Sequence, residues 1–139
     1  MNNQIENGLT GRVCKFGCNW TGCEQSFYDF INQDKIVIGR IALPYNVGDL
    51  ILITEGFTVK AIAKVTSQRY EITTKPEYEF VNGAFCIDYD ESTFFANAEW
   101  YELPEDEVFQ YRLQRGFANV RNPQIIEQTF ELWKNRNSR

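Results

Sequence analysis

The residue types best suited to chemistry lie close together near the start of the chain. Gly17, Cys18, Asn19, Trp20, Thr21, Gly22 and Cys23 run consecutively, and two glycines with an asparagine around a tryptophan are loop chemistry, not a continuing strand. An indole in a glycine-bordered loop can wall a pocket in which a planar ring stacks, worth about 1–3 kcal/mol per base where nucleic acid is bound. Asn19 offers a donor and an acceptor to a ring edge. The purely structural alternative is an indole that plugs the end of the fold. Phe57 and Trp100 are the other aromatic candidates, set against the usual role of strand aromatics as core.

Other chemistry has less to work with. Cys14, Cys18, Cys23 and Cys86 could hold zinc through four thiolates. Their spacing, however, is not a repeated pair of knuckles, and the chain contains no histidine. Free thiols packed as small apolar groups are therefore expected, with neither metal nor cofactor. The missing histidine also removes the usual general base and the Ser-His and Cys-His nucleophile pairs. Asp49, Glu55, Asp88 and Asp90 could pair as carboxylates, but acidic residues at turns and strand ends ordinarily meet solvent or cap backbone N–H groups. Neither a Walker-type phosphate loop nor a glycine-rich dinucleotide fingerprint occurs. Binding fits this inventory better than catalysis.

The formal charge of −5, from 14 basic and 19 acidic side chains, repels a polyanion on average. Contact with nucleic acid would have to be local, beside positive groups such as Lys15, Lys60, Lys64 and Arg69. A length of 139 residues suits a single domain over residues 1–139, with the polar residues 1–11 as a flexible approach. The start lacks an apolar signal stretch, and no run approaches the roughly 20 apolar residues that span a bilayer, so a cytoplasmic protein without a membrane partner is expected.

The candidate residues must be positioned by short strands. Residues 12–16 alternate like a first strand, and 26–31 place Phe27, Phe30 and Ile31 at helical spacing, with a cap at or near Ser26. Residues 35–39 form a short β-like run. The turn at 44–49 launches the β-branched strand 50–54, and Glu55-Gly56 tightens the chain before 57–66. There the apolar residues 57, 59, 61, 63 and 65 share a core face, while Ile62 interrupts the polar face and implies cover by another element. Residues 69–74, 84–89 and 96–103 are further candidate strands, with Asn82-Gly83 as a turn. Asn122-Pro123 opens a long helix from Gln124 to about Asn135, whose Ile125, Ile126, Phe130 and Trp133 stripe docks onto the body or meets a partner. About six or seven short strands with hairpin-like connections predict a mainly β, α+β domain: a small closed barrel with flanking helices and the C-terminal helix packed on it.

Phe16-Gly17-Cys18-Asn19-Trp20, then 25–30, 36–39, 47–53 and 59–65, resemble in this order the EVE-type members of the PUA-like superfamily. The similarity is strongest to small domains at the front of some modification-dependent restriction ATPases, covers about residues 12–66, and extends thinly to Trp100. It implies a compact β-barrel among whose relatives EVE, ASCH, YTH and SRA domains read RNA or modified or flipped DNA bases. It further implies that Asn19, Trp20, Gln25 and Ser26 contribute to a pocket mouth, that Gly48-Asp49 launches a central strand, and that 61–65 form barrel wall. The cysteines of the first loop, the short segment before Gly48 and the acidic charge depart from that pattern. The expected function is a non-enzymatic reader of a modified or flipped nucleobase, with Trp20 stacking and Asn19 or Gln25 addressing the base edge. Asn19, Trp20, Gln25, Ser26, Phe57, Lys60 and Trp100 form the expected ligand-binding set. The alternative is a protein-interaction or scaffold domain using the C-terminal helix or the aromatic loop. A stand-alone enzyme, which would need converging carboxylates and a metal, comes last.

Overall fold

The computed structural model describes residues 8–19, 26, 28–70, 93–113 and 116–138. The strand expected over 84–89, most of that over 69–74, and Trp20, Cys23, Gln25, Phe27 and Cys86 lie outside them. In chain order the elements are β1 (Val13–Gly17), α1 (Tyr28–Asp34), β2 (Ile36–Arg40), β3 (Leu50–Glu55), β4 (Thr58–Val65), β5 (Thr93–Glu102), β6 (Phe109–Gln110), β7 (Phe117–Asn119) and α2 (Pro123–Lys134), followed by a 3-10 turn over Arg136–Ser138.

The class is mainly β with two flanking helices, built on one mixed sheet in the order β2-β5-β4-β3-β1-β7, with β6 extending the β5 side of β4. Not every connection is a hairpin. β1 pairs with β3 in parallel, Val13 opposite Leu50, and the chain between them passes through α1 and through β2 at the far edge, where β2 pairs antiparallel with β5. The sheet curls into a half-barrel. Among the described residues β2 and β7 do not pair; instead the Arg40 guanidinium sits 4.9 Å from the centroid of the Phe117 ring, so side chains bridge the two edges.

Small residues on the concave face make room for the curl. Ala61, Ala63, Ala96 and Ala98 lie in the inner core among Phe16, Ile36, Ile38, Ile51 and Ile53, the mixture of small and large side chains that fills a tapering interior. Gly39 opposes Phe94 across β2 and β5, and a Cβ there would lie 2.4 Å from the Phe94 ring, so only glycine admits that ring. α1 begins where Ser26 Oγ accepts from the Tyr28 N–H at 3.1 Å, as its sequence predicts, and lays Tyr28 and Ile31 into the inner core.

The convex face has its own core, which explains the apolar interruption in β4. Ile62 is fully buried there with Val13, Leu50, Leu52, Phe130 and Trp133. A register shift at Ile53/Thr54 also puts Val59 on this side, whereas strict alternation would keep it with Ala61 and Ala63. α2 supplies the cover. Its cap is Asn122, whose side chain accepts from the N–H groups of Gln124 and Ile125, with Pro123 in the first turn, worth about 1 kcal/mol relative to an uncapped end. Phe130 and Trp133 are buried against the sheet, so this stripe is used within the molecule. No described helix is long and apolar enough to cross a membrane.

The launch of β3 is fixed by a buried carboxylate. Gly48 has φ +97°, and a Cβ on it would fall 2.0 Å from the Gly8 carbonyl oxygen. Next to it Asp49 is wholly buried, accepting from the Asn46 N–H at 2.8 Å, from the Thr10 hydroxyl and from Arg12 Nη1 at 3.0 Å. Arg12 also donates to the Pro44 carbonyl and, through Nε, to Asn119 on β7. One ion pair thus ties β3, β1 and β7 together.

Candidate functional site

Two places in the half-barrel gather polar and aromatic side chains. The first is the mouth, at the C-terminal ends of the parallel strands β1 and β3. Asn19, just past β1, accepts through Oδ1 from the Gly56 N–H at 2.8 Å. Ser26 bonds the Glu55 carboxylate and the Cys18 thiol besides capping α1. Lys60 donates to Glu55 at 2.7 Å and lies 4.7 Å from the Tyr28 ring centroid. The Tyr28 ring meets Trp100 edge-on at 5.8 Å, and the Trp100 indole donates to the Ile36 carbonyl. Tyr28 and Asn32 both donate to Glu102.

Asn19, Ser26, Lys60 and Trp100, chosen from the sequence, thus belong to one connected rim. Trp20 and Gln25 lie outside the described residues, between Asn19 and Ser26 in sequence. Phe57 belongs elsewhere: its carbonyl accepts from the Tyr111 N–H, and Arg112 sits 5.7 Å from its ring centroid. Tyr28, Asn32, Glu55 and Glu102 are rim residues absent from the ligand set expected from the sequence. The helical stripe was read through Phe27, Phe30 and Ile31, although Tyr28 and Ile31 are three apart and face the same core.

Electrostatics at the rim follow from these contacts. Burial pushes the Glu55 carboxyl up, but hydrogen bonds from Lys60 and Ser26 and the Lys60 charge outweigh it and hold the group below its ordinary value. The hydrogen bond to Glu55 holds Lys60 above its own. Burial raises the Cys18 thiol and pushes Cys14 up to about 12, so both are protonated, unreactive side chains at neutral pH. Both are free cysteines, and no group of His, Cys, Asp or Glu among the described residues is arranged to hold a metal.

The remaining positive groups singled out in the sequence are also engaged. Lys15 is buried and donates to the Leu113 carbonyl at 2.6 Å, with burial lowering its pKa. Lys64 pairs with Glu99 at 3.8 Å, and Arg69 lies 5.8 Å from the Phe94 ring centroid.

The second place is a cleft of about 590 Å³ along the seam where the curled sheet stays open, within the usual range for small-molecule sites. Its walls include Leu43, Tyr111, Phe117, Asn119, Arg121 and Asn122, and Arg40 stands over Phe117. No local sequence pattern marks it, because its residues come from the turn after β2, the stretch after β6, β7 and the approach to α2.

No protein-family model matches the chain, and no curated protein matches it significantly.

Proposed function

We propose that the chain is a non-enzymatic binding module that reads a planar nucleobase, modified or extruded from DNA or RNA, at the mouth of the half-barrel. The observation that supports this reading is the anchoring of Asn19 and Ser26, the described residues on either side of 20–25, to the rim formed by Gly56, Glu55 and α1. Trp20 and Gln25 fall between these anchors in sequence, and the rim that holds the anchors carries a fixed aromatic pair, Tyr28 and Trp100. Pinning both ends of a binding segment lowers the entropy it loses when a ligand arrives. Stacking on Trp20 supplies affinity for any base. Discrimination comes from polar groups, since an unmatched buried donor or acceptor costs about 1–3 kcal/mol.

The test is a titration of the wild type and Trp20→Ala with oligonucleotides carrying a methylated or hydroxymethylated base, beside unmodified controls. The expected result is selective binding by the wild type and a loss of about tenfold or more in Trp20→Ala, whose thermal unfolding stays cooperative. Equal affinity of the two proteins, or equal affinity for modified and unmodified strands, rejects the assignment.

A further inference from the structure

We propose that the seam cleft is a second binding site, independent of the mouth, that takes the phosphate-bearing aromatic unit of a nucleotide. Among the described residues the side chains of the lining are rich in donors and poor in acceptors. Asn119 Oδ1 is taken by Arg12 Nε at 3.0 Å and by the Cys14 thiol at 3.4 Å, while Asn122 Oδ1 is taken by the Gln124 and Ile125 N–H groups. What each amide has left is its NH₂, which only donates. Arg121 lines the cleft and Arg40 stands at its Phe117 wall; among the described residues neither has an ion-pair partner.

Among the described residues no carboxylate lines the cleft. Asp49 is fully buried and answered by Arg12. Of the described acids, Glu99 and Glu102 lie on β5 and Glu105, Asp106 and Glu107 in the turn that follows, none of them in the cleft lining. Among the described residues the seam therefore gathers positive charge in a protein whose net charge is −5. Guanidinium groups bind phosphate by paired, charge-assisted hydrogen bonds, and the Tyr111 ring adds aromatic surface to the wall. Acceptor-rich, anionic and flat describes a nucleotide.

The same chemistry reaches the cleft as a free nucleotide or as one unit of a single strand. Amide NMR titrations with adenosine monophosphate, adenosine and a short single-stranded oligonucleotide separate these sources. The monophosphate is expected to shift the signals of Phe117, Asn119 and Arg121, with adenosine binding about tenfold more weakly or less. Arg40→Gln and Arg121→Gln, both at solvent-exposed side chains, should each weaken the monophosphate about tenfold, and Trp20→Ala should leave it unchanged. Tighter, salt-sensitive binding of the oligonucleotide assigns the site to a strand, and equal affinity assigns it to the free nucleotide; both support the proposal. Absence of seam shifts at millimolar monophosphate, equal binding of adenosine, or wild-type affinity in both arginine variants overturns it. Trp20-dependent binding of modified strands would survive that outcome, so the two sites fail separately.

Discussion

The mouth and the seam of the half-barrel use similar residue types in opposite ways. At the mouth, Lys60 meets Glu55, Asn32 meets Glu102, Asn19 meets Gly56 and the Trp100 indole meets Ile36. At the seam, Arg40 and Arg121 find no carboxylate among the described residues, and both asparagines keep donors in reserve. Polar groups that satisfy one another fix positions, whereas groups left facing an open volume are available to a ligand. The described mouth residues thus hold one another in place, whereas the described seam side chains face an open cleft.

The contrast breaks most sharply through Asp49, which underlies the seam side only. Asp49→Ala leaves Arg12 and Thr10 without their shared acceptor and should cost about 3 kcal/mol, since removing one partner of a buried pair strands the other. Urea unfolding measures the loss. Hydrogen exchange should locate it, with the Val120 and Leu50 amides, which donate to Val13 and Arg12 on the β1 side, opening before the Ala98 amide held by Lys35. Uniform loosening would mean that the two regions are one cooperative unit.

Next in size is Tyr28→Ala at the mouth. It deletes a buried ring that contacts Trp100 and Lys60 and should cost about 3 kcal/mol or slightly less. Trp100 fluorescence should change while seam amide shifts stay in place. Movement of the Phe117 and Arg121 signals would erase the distinction.

The smallest effect sharpens the picture of the mouth. With side-chain exposures of 29% for Glu55 and 41% for Lys60, their ion pair is screened, and Glu55→Gln should change stability by at most about 1 kcal/mol. Glu55 is held below its ordinary value, so its contribution is full above that value and disappears as pH falls through the folded-state pKa. Lys60 is held above its ordinary value, so its contribution is full below that value and disappears only as pH rises through the folded-state pKa. Urea midpoints for Glu55→Gln should therefore fall less steeply on the acid side than those of the wild type, with parallel curves near neutrality. Identical acid limbs would show that the pair contributes nothing measurable.

Much of this architecture was legible because it is encoded locally. Alternation in 57–66, the β-branched run at 50–54 and the Asn122-Pro123 entrance each reappear as β4, β3 and the capped start of α2. The buried Ile62 disclosed the cover over the convex face. Pairing was not legible. Hairpin connection predicts neighbours in sequence, whereas β1 chooses β3 and β2 chooses β5 because the curl must bury both faces at once. The bulge that moves Val59 likewise belongs to two strands together.

The rim was half legible. Asn19, Ser26, Lys60 and Trp100 could be selected by type, but Lys60 and Lys64 looked available for a ligand only because their partners Glu55 and Glu99 come from turn and strand positions that composition does not link. The seam was illegible, since Arg40, Phe117 and Arg121 meet only once the sheet curls.

The open sheet also bears on self-association. A free strand edge is a template on which a second chain can grow a fibril. Here β7 offers only three residues, and the Ile36 and Ile38 carbonyls of β2 are already occupied by the Trp100 indole and the Tyr45 hydroxyl. Among the described residues, shortness blunts the β7 border and side chains blunt that of β2, the kind of protection against templated aggregation that a closed barrel obtains from its last row of strand pairing.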